Sequence, residues 1–412
     1  MPALDAQADG AGQSGKLRRS LTTPLLTLYG LGVTIGAGIY VLVGTTAAEA
    51  GIYAPISFLV AAIVVAFTAF SYAELSTRYP VSAGEAAYVE AGFRSATLAT
   101  LVGLAVALSG MVSAAAVAIG AASYLQGLIA APHAVLTVGV VALMGLIAMW
   151  GITQSVTVAA IITLIEIGGL IFVAVWGFGV SEPLGVALLD ILPPLTGPHW
   201  TGIGAASLLA FFAFVGFEDM ANVAEEVKDP ASTMPKAIVF TLVIATLLYI
   251  VTTTAVLLAV PIDALASSAA PLSLVFATAP AGIQQSFAII AIVATVNGVL
   301  IQMIMASRVI YGLADRGHLF SSLAIVSRRT QTPIVATVLV VCIILLLALA
   351  LPISALAERT SQIVLLVFIL VNVALIRLKW RGDNGSDHFT VPMVVPVMGV
   401  LTSLLLFATA WI

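Results

Sequence analysis

Three carboxylic acids stand inside apolar stretches of this chain, where an ionised group is costly: Glu166 in "TLIEIGGL", and Glu218 and Asp219 in "FFAFVGFEDM". Glu166 falls about ten residues into its stretch, roughly 15 Å deep at the helical rise of ~1.5 Å per residue. An acid at that depth is a candidate for taking up and releasing a proton; the bland alternative is a hydrogen-bonded tie between helices. Glu218 reads as a pH-sensing or gating group, or as a simple partner for a helix N-terminus. Glycines accompany these acids. "GVTIGAGIY" carries Gly32, Gly36 and Gly38, and Gly216 directly precedes Phe217 and Glu218. Glycine costs a helix interior about 1 kcal/mol relative to alanine. A break there turns bare N–H and C=O groups toward a cavity, and irregular backbone at membrane depth persists only where it lines protein or water. Half-helix N-termini attract anions and freed carbonyls attract cations, so a pair of such breaks suits a zwitterion. Gly32-xxx-Gly36 also fits a close-packing motif.

The chain as a whole must hold those groups in lipid. Of 412 residues, 61% are hydrophobic and 8% charged, against about 25% charged in a soluble domain. The net charge of −4 supplies no basic field for nucleic acid. The one cysteine, Cys342, excludes an intrachain disulfide and a multi-cysteine metal site. The histidines are far apart in sequence, none lies within an apolar stretch, and there is no HExxH or GxSxG motif, so neither a metal, a cofactor nor an enzyme is expected. A channel would need a continuous polar pathway, which isolated glycine breaks do not provide.

Eleven apolar stretches are predicted to span a bilayer, over residues 21–50, 54–77, 97–130, 134–151, 156–179, 202–224, 237–260, 286–313, 333–351, 362–376 and 394–411; the tenth is short and has room to start near Ala355. With the N-terminus in the cytoplasm, only Arg359 of the 15 lysines and arginines falls outside. The polar first twenty residues read as a disordered tail before a retained first span. Residues 84–94 read as an interfacial amphipathic segment, and residues 181–200 and 261–285 are long enough to act as lids. Glu74 and Arg78 are expected to pair at i,i+4.

Gly36 and Gly216 lie 180 residues apart, with spans 1 and 6 running in opposite senses. That is the trace of an inverted-topology repeat of five plus five helices. The expected fold class is therefore an all-α integral membrane protein with broken helices 1 and 6 and about 11 spans. Residues 21–179 form the first repeat, 180–199 an extracellular connection, 200–378 the second repeat, and 379–412 a loop with the last helix.

Four motifs together resemble the amino acid–polyamine–organocation transporters, in the bacterial amino acid permease family: "TIGAGIY" (34–40), "YAELSTRYPVSAGEAAYV" (72–89), "FFAFVGFE" (211–218) with "EEVKDPASTMPKAI" (225–238), and "ASRVIYGLADRG" (306–317). The resemblance implies the fold of the sodium-coupled leucine transporter, alternating access and a mid-membrane amino acid site. It implies that Thr34, Gly36, Ala37 and Gly38 meet the substrate carboxylate, and that Phe212, Ala213 and Val215 carbonyls meet its ammonium. Phe217 and Glu218 are the expected gate, and Glu166, as an acid deep in its span, the expected proton-coupling residue; here the chain departs from the family, some proton-coupled members of which carry a lysine near that position. Many members have twelve spans where this chain shows eleven. The expected activity is proton-coupled symport of a neutral amino acid across the plasma membrane, with proton favoured over sodium. An amino acid/amine exchanger and a non-transporting sensor are the alternatives.

Overall fold

The computed structural model describes residues 21–35, 38–81, 84–150, 156–180, 192–194, 199–315, 317–327, 332–382 and 388–409. The tail of residues 1–20, the candidates Gly36 and Ala37, and most of the lid expected at 181–200 lie outside the described residues. The rest is helical; no extended strand occurs among the described residues, only an isolated bridge between Leu21 and Val227.

The helices are α1 (Thr23–Ile35), α2 (Ile39–Ala50), α3 (Ala54–Arg78), α4 (Gly84–Phe93), α5 (Ala96–Gln126), α6 (His133–Trp150) and α7 (Val156–Val180). There follow α8 (His199–Phe212), α9 (Pro230–Ala259), α10 (Ile262–Ser267), α11 (Ala281–Asp315), α12 (Ile334–Ala350), α13 (Ile353–Trp380) and α14 (Val394–Thr409). Each of the eleven expected stretches falls on helix, and the tenth does start earlier, at Ile353. By length and composition, seven helical stretches can cross a membrane; four shorter apolar helices, Thr23–Ile35, His133–Met149, Ile334–Ala350 and Val394–Thr409, accompany them.

Local sequence explains the ends. Ser95 caps α5 by accepting from the Leu98 amide at 3.2 Å, which satisfies one orphan N–H of the first turn. Pro55 and Pro230 occupy first-turn positions of α3 and α9, where a missing N–H costs nothing. The helices show little amphipathic contrast because both faces are apolar, as expected of helices buried in protein on one side and lipid on the other. α5 runs through the centre and buries Ala114 to Ala118 completely; small side chains let neighbouring backbones approach closely. Leu146, Leu164, Val175, Leu247, Leu346 and Leu405 point outward.

α3 packs against α9, α5 against α11, and α2 against α8. Glu74 and Arg78 do pair at i,i+4, 3.8 Å apart, and the Glu74 carboxylate bonds more closely still to Lys379 Nζ on α13 at 2.7 Å and to the Val391 amide at 2.8 Å. Three segments distant in sequence thus meet at one buried carboxylate, which local spacing could not show.

Candidate functional site

The break in the sixth span is fully visible. α8 ends at Phe212, four residues before Gly216. Its continuation tightens into three-residue rings: Ala213 N donates to Ala210 O at 3.0 Å, Phe214 N to Phe211 O at 2.9 Å, and Val215 N to Phe212 O at 3.1 Å. Gly216 then takes φ +121°, a region closed to residues with a Cβ. An added Cβ would also meet Val33 Cγ1 at 2.6 Å and the Val33 carbonyl oxygen at 3.0 Å. The chain resumes as a 3-10 segment, Phe217–Glu226, rather than the α-helix the dipole argument assumed. Ten residues is long for that geometry, which usually holds for three or four and marks a hinge when found within a helix. Glu218 folds back so that its Oε2 accepts from the Gly216 amide at 2.9 Å.

In the first span, described helix stops at Ile35 and resumes at Ile39, where the Gly38 carbonyl accepts from Val41 N at 3.2 Å and Leu42 N at 2.8 Å. Thr34 is fully buried, and its hydroxyl donates to the Gly30 carbonyl within its own helix at 2.7 Å. Its carbonyl is therefore the group it can offer sideways. Gly38 lies directly on Ala213: a Cβ there would overlap the Ala213 backbone. The described ends of α1 and α2 meet the break after α8, far away in sequence, at Val33–Gly216 and at Gly38–Ala213.

Tyr249 on α9 joins them. Its buried hydroxyl lies 2.8 Å from the Thr34 carbonyl and 2.7 Å from the Ala213 carbonyl. The sequence reading missed this residue, since nothing local in "TLLYIV" distinguishes it from a packed aromatic. Of the three carbonyls expected to face an ammonium, that of Phe212 is used by Val215 N and that of Ala213 by Tyr249, while Val215 lines a small cavity.

That cavity, about 10 Å³ or the room of roughly one water molecule, is walled by Tyr72, Glu85, Ser109, Glu218, Asp219 and Gln302 among others. Asp219 is 3% exposed and its Oδ2 has no hydrogen-bond partner among the described residues. Glu85, from α4, accepts from the Tyr72 hydroxyl at 3.4 Å. Burial pushes the Glu85 carboxyl up to about 7, with the Tyr72 bond pulling the other way. Phe217 closes one side, its ring 5.7 Å from Tyr72 and 5.4 Å from Phe368. Glu85 escaped sequence reading because it sits in a connecting segment that looks interfacial; α4 carries it inward.

Glu166 is not among those walls. It is fully buried on α7, its Oε1 accepting from the Asn297 side chain on α11 at 3.2 Å and its Oε2 without a partner among the described residues. Its backbone carbonyl accepts from the Tyr40 hydroxyl at 2.8 Å. Asn372 likewise bonds across helices, to Thr68 at 2.9 Å and Ser71 at 2.6 Å. Among the described residues no group of histidine, cysteine and acidic side chains could hold a metal ion.

Long apolar helices with carboxylates buried among them define a multi-pass membrane protein. Residues 21–412 match the amino acid permease family, and the chain belongs to it. It is 31% identical over 410 residues to the branched-chain amino acid permease of Bacillus subtilis, covering 95% of this chain and 87% of that one. It is also 31% identical over 398 residues to the vacuolar cationic amino acid transporter 2 of Arabidopsis thaliana, covering 90% of this chain but only 62% of the plant protein. The methylthioribose transporter of Bacillus subtilis is 29% identical over 420 residues, covering 95% and 87%.

Proposed function

We propose that this protein is a secondary transporter that moves an amino acid across the plasma membrane by alternating access, in symport with a proton. The observation that carries the proposal is the contact between the first span and the break in the sixth. Gly38 meets Ala213 and Val33 meets Gly216, which sets the two glycine-marked regions side by side in the interior. A carboxylate and an ammonium held about two bonds apart need a pairing of N–H and C=O groups. In this reading a substrate parts Gly38 from Ala213 to enter. The backbone amides at Thr34, Gly36, Ala37 and Gly38 are assigned to the carboxylate, the carbonyls of Phe212, Ala213 and Val215 to the ammonium, and Phe217 with Glu218 to the gate.

Residues 21–179 and 200–378 serve as the two inverted repeats in this reading. Its support is that each half leads with its interrupted span, and that α3 packs on α9 and α5 on α11 as counterparts would. Glu166 carries the proton, because it is buried, has one oxygen free and contacts the second half through Asn297. The distribution of lysine and arginine supports a cytoplasmic N-terminus.

A neutral amino acid is the first substrate reading, since no fixed charge stands out in the sequence as a partner for a charged side chain. The carboxyls of Glu85, Glu218 and Asp219, in the cavity beside Val215, favour a second reading, a cationic amino acid whose side chain reaches them, since no basic residue lines that cavity. Relatives named for branched-chain and for cationic amino acids fall on both sides.

One experiment tests the proposal. Purified protein is screened for thermal stabilisation by a panel of neutral and basic amino acids and amines, at two pH values, with and without sodium. Counterflow of the best ligand in proteoliposomes follows. Stabilisation without counterflow defines a sensor, exchange that ignores a pH gradient defines an antiporter, and stabilisation by no amino acid overturns the assignment.

A further inference from the structure

A phenol has one proton, yet the Tyr249 hydroxyl stands at bonding distance from two carbonyl oxygens, Thr34 at 2.8 Å and Ala213 at 2.7 Å. It donates to one at a time, and the other is left facing an oxygen. Both carbonyls belong to the interrupted spans, Thr34 next to the last described residue of α1 and Ala213 in the tightened turn after α8. The tyrosine is wholly buried and its ring is fixed, 5.7 Å from Phe58 and 5.1 Å from Phe214. Two carbonyls converging on one point form a place that attracts positive charge, and a neutral hydroxyl satisfies it only in part. An ammonium carries three N–H donors and a full charge, and charge-assisted bonds are roughly twice as strong as neutral ones.

We propose that the Tyr249 hydroxyl is a built-in stand-in for the substrate ammonium. It occupies the Thr34 and Ala213 carbonyls in the empty protein, keeps Gly38 seated on Ala213, and yields those carbonyls when an ammonium arrives. Substrate binding is then a competition with an internal donor, and the phenol weakens affinity while protecting buried carbonyls from being left bare. The inference rests on the reading of the interrupted spans as the substrate site.

The test uses the full-length protein in detergent and the variant Tyr249→Phe, with dissociation constants measured for L-leucine, L-lysine, isopentylamine and 4-methylpentanoate. The expected result is that the amino acid that binds the native protein binds Tyr249→Phe roughly three- to tenfold more tightly, the worth of one hydrogen bond no longer displaced. Isopentylamine gains likewise, and 4-methylpentanoate, which lacks the ammonium, does not gain. A purely structural tyrosine predicts the opposite sign, a loosened site and weaker binding. Unchanged or weaker binding of the amino acid, or an equal gain for 4-methylpentanoate, overturns the proposal. Replacement of Tyr249 by 3-fluorotyrosine keeps the ring and gives a stronger donor, so it serves if the phenylalanine variant does not fold. Affinity then falls, and a rise overturns the idea. If neither L-leucine nor L-lysine binds the native protein, the substrate reading fails and the stand-in falls with it. If one binds and Tyr249→Phe does not tighten it, only the stand-in fails.

Discussion

Glu166 on α7 and Asn297 on α11 meet across the protein interior, the asparagine side chain donating to the carboxyl Oε1 at 3.2 Å. The second oxygen is free of protein partners among the described residues. Glutamine fills the same space and keeps the Asn297 contact, but carries no exchangeable charge. Glu166→Gln is therefore expected to abolish pH-driven accumulation in proteoliposomes, at least tenfold, while counterflow of the same substrate persists. Full accumulation by this variant removes the proton role.

Gly38→Leu is expected to insert normally and to lose uptake. A side chain there fills the space assigned to the carboxylate; the contact with Ala213 supplies a second reason, because even the Cβ of Gly38→Ala overlaps that backbone. Overpacking of this kind costs roughly 1–3 kcal/mol, so the alanine variant should melt several degrees lower and transport less. Gly168→Ala is the control: a Cβ there meets nothing within 4 Å. It should be neutral or stabilising by up to about 1 kcal/mol. Equal damage by both variants would refute the close-approach argument.

Glu85 makes a prediction about pH. It faces Tyr72 from α3, Glu218, Asp219 and Asn222 from the 3-10 segment, and Ser109 and Gln302 across the cavity, with no basic side chain lining the space. Burial raises its carboxyl to about 7 from the ordinary 4.5, so the folded state holds the proton more tightly than the unfolded chain. Its contribution is whole below about pH 4.5 and is lost as pH rises through about 7, to a limit of roughly 3 kcal/mol. Melting temperatures should fall between about pH 4.5 and 7 and level off above that range, and Glu85→Gln should flatten the slope. An identical slope in the variant would show that another group is responsible.

The Glu74–Lys379 pair is nearly buried and its carboxylate also receives the Val391 amide. Removing one partner strands the other, so Lys379→Met should cost about 2 kcal/mol in thermal or denaturant stability, with Arg78 at 3.8 Å softening the loss. The double variant Lys379→Met/Glu74→Gln should be less damaged than the sum of the two. Strict additivity would mean the two groups do not interact.

What could be read before the fold was seen depended on how local the signal was. Apolar runs located the long helices, and Gly216 marked the break in the sixth, where it takes a positive φ. The break expected near Gly36 lies outside the described residues. Relations across helices were invisible: Tyr249 looked like any core aromatic until Thr34 and Ala213 were placed beside it, and Glu85 looked solvated until α4 turned it inward. Which helices Asn297 and Asn372 bond depends on packing that no window of sequence contains. The local pair of Glu74 with Arg78 was legible from its spacing, but the closer partner Lys379, 305 positions later, was not.

The last helix is set into the structure at a single notch. Gly399 on α14 leaves no room for a Cβ against the Asn372 amide, whose other contacts are Thr68 and Ser71 on α3. A chain cut short before α14 would turn a buried carboxamide and two hydroxyls toward fatty acyl chains. α14 thus works as a keystone for α3 and α13, and variants that remove it are expected to register in folding yield before they register in turnover.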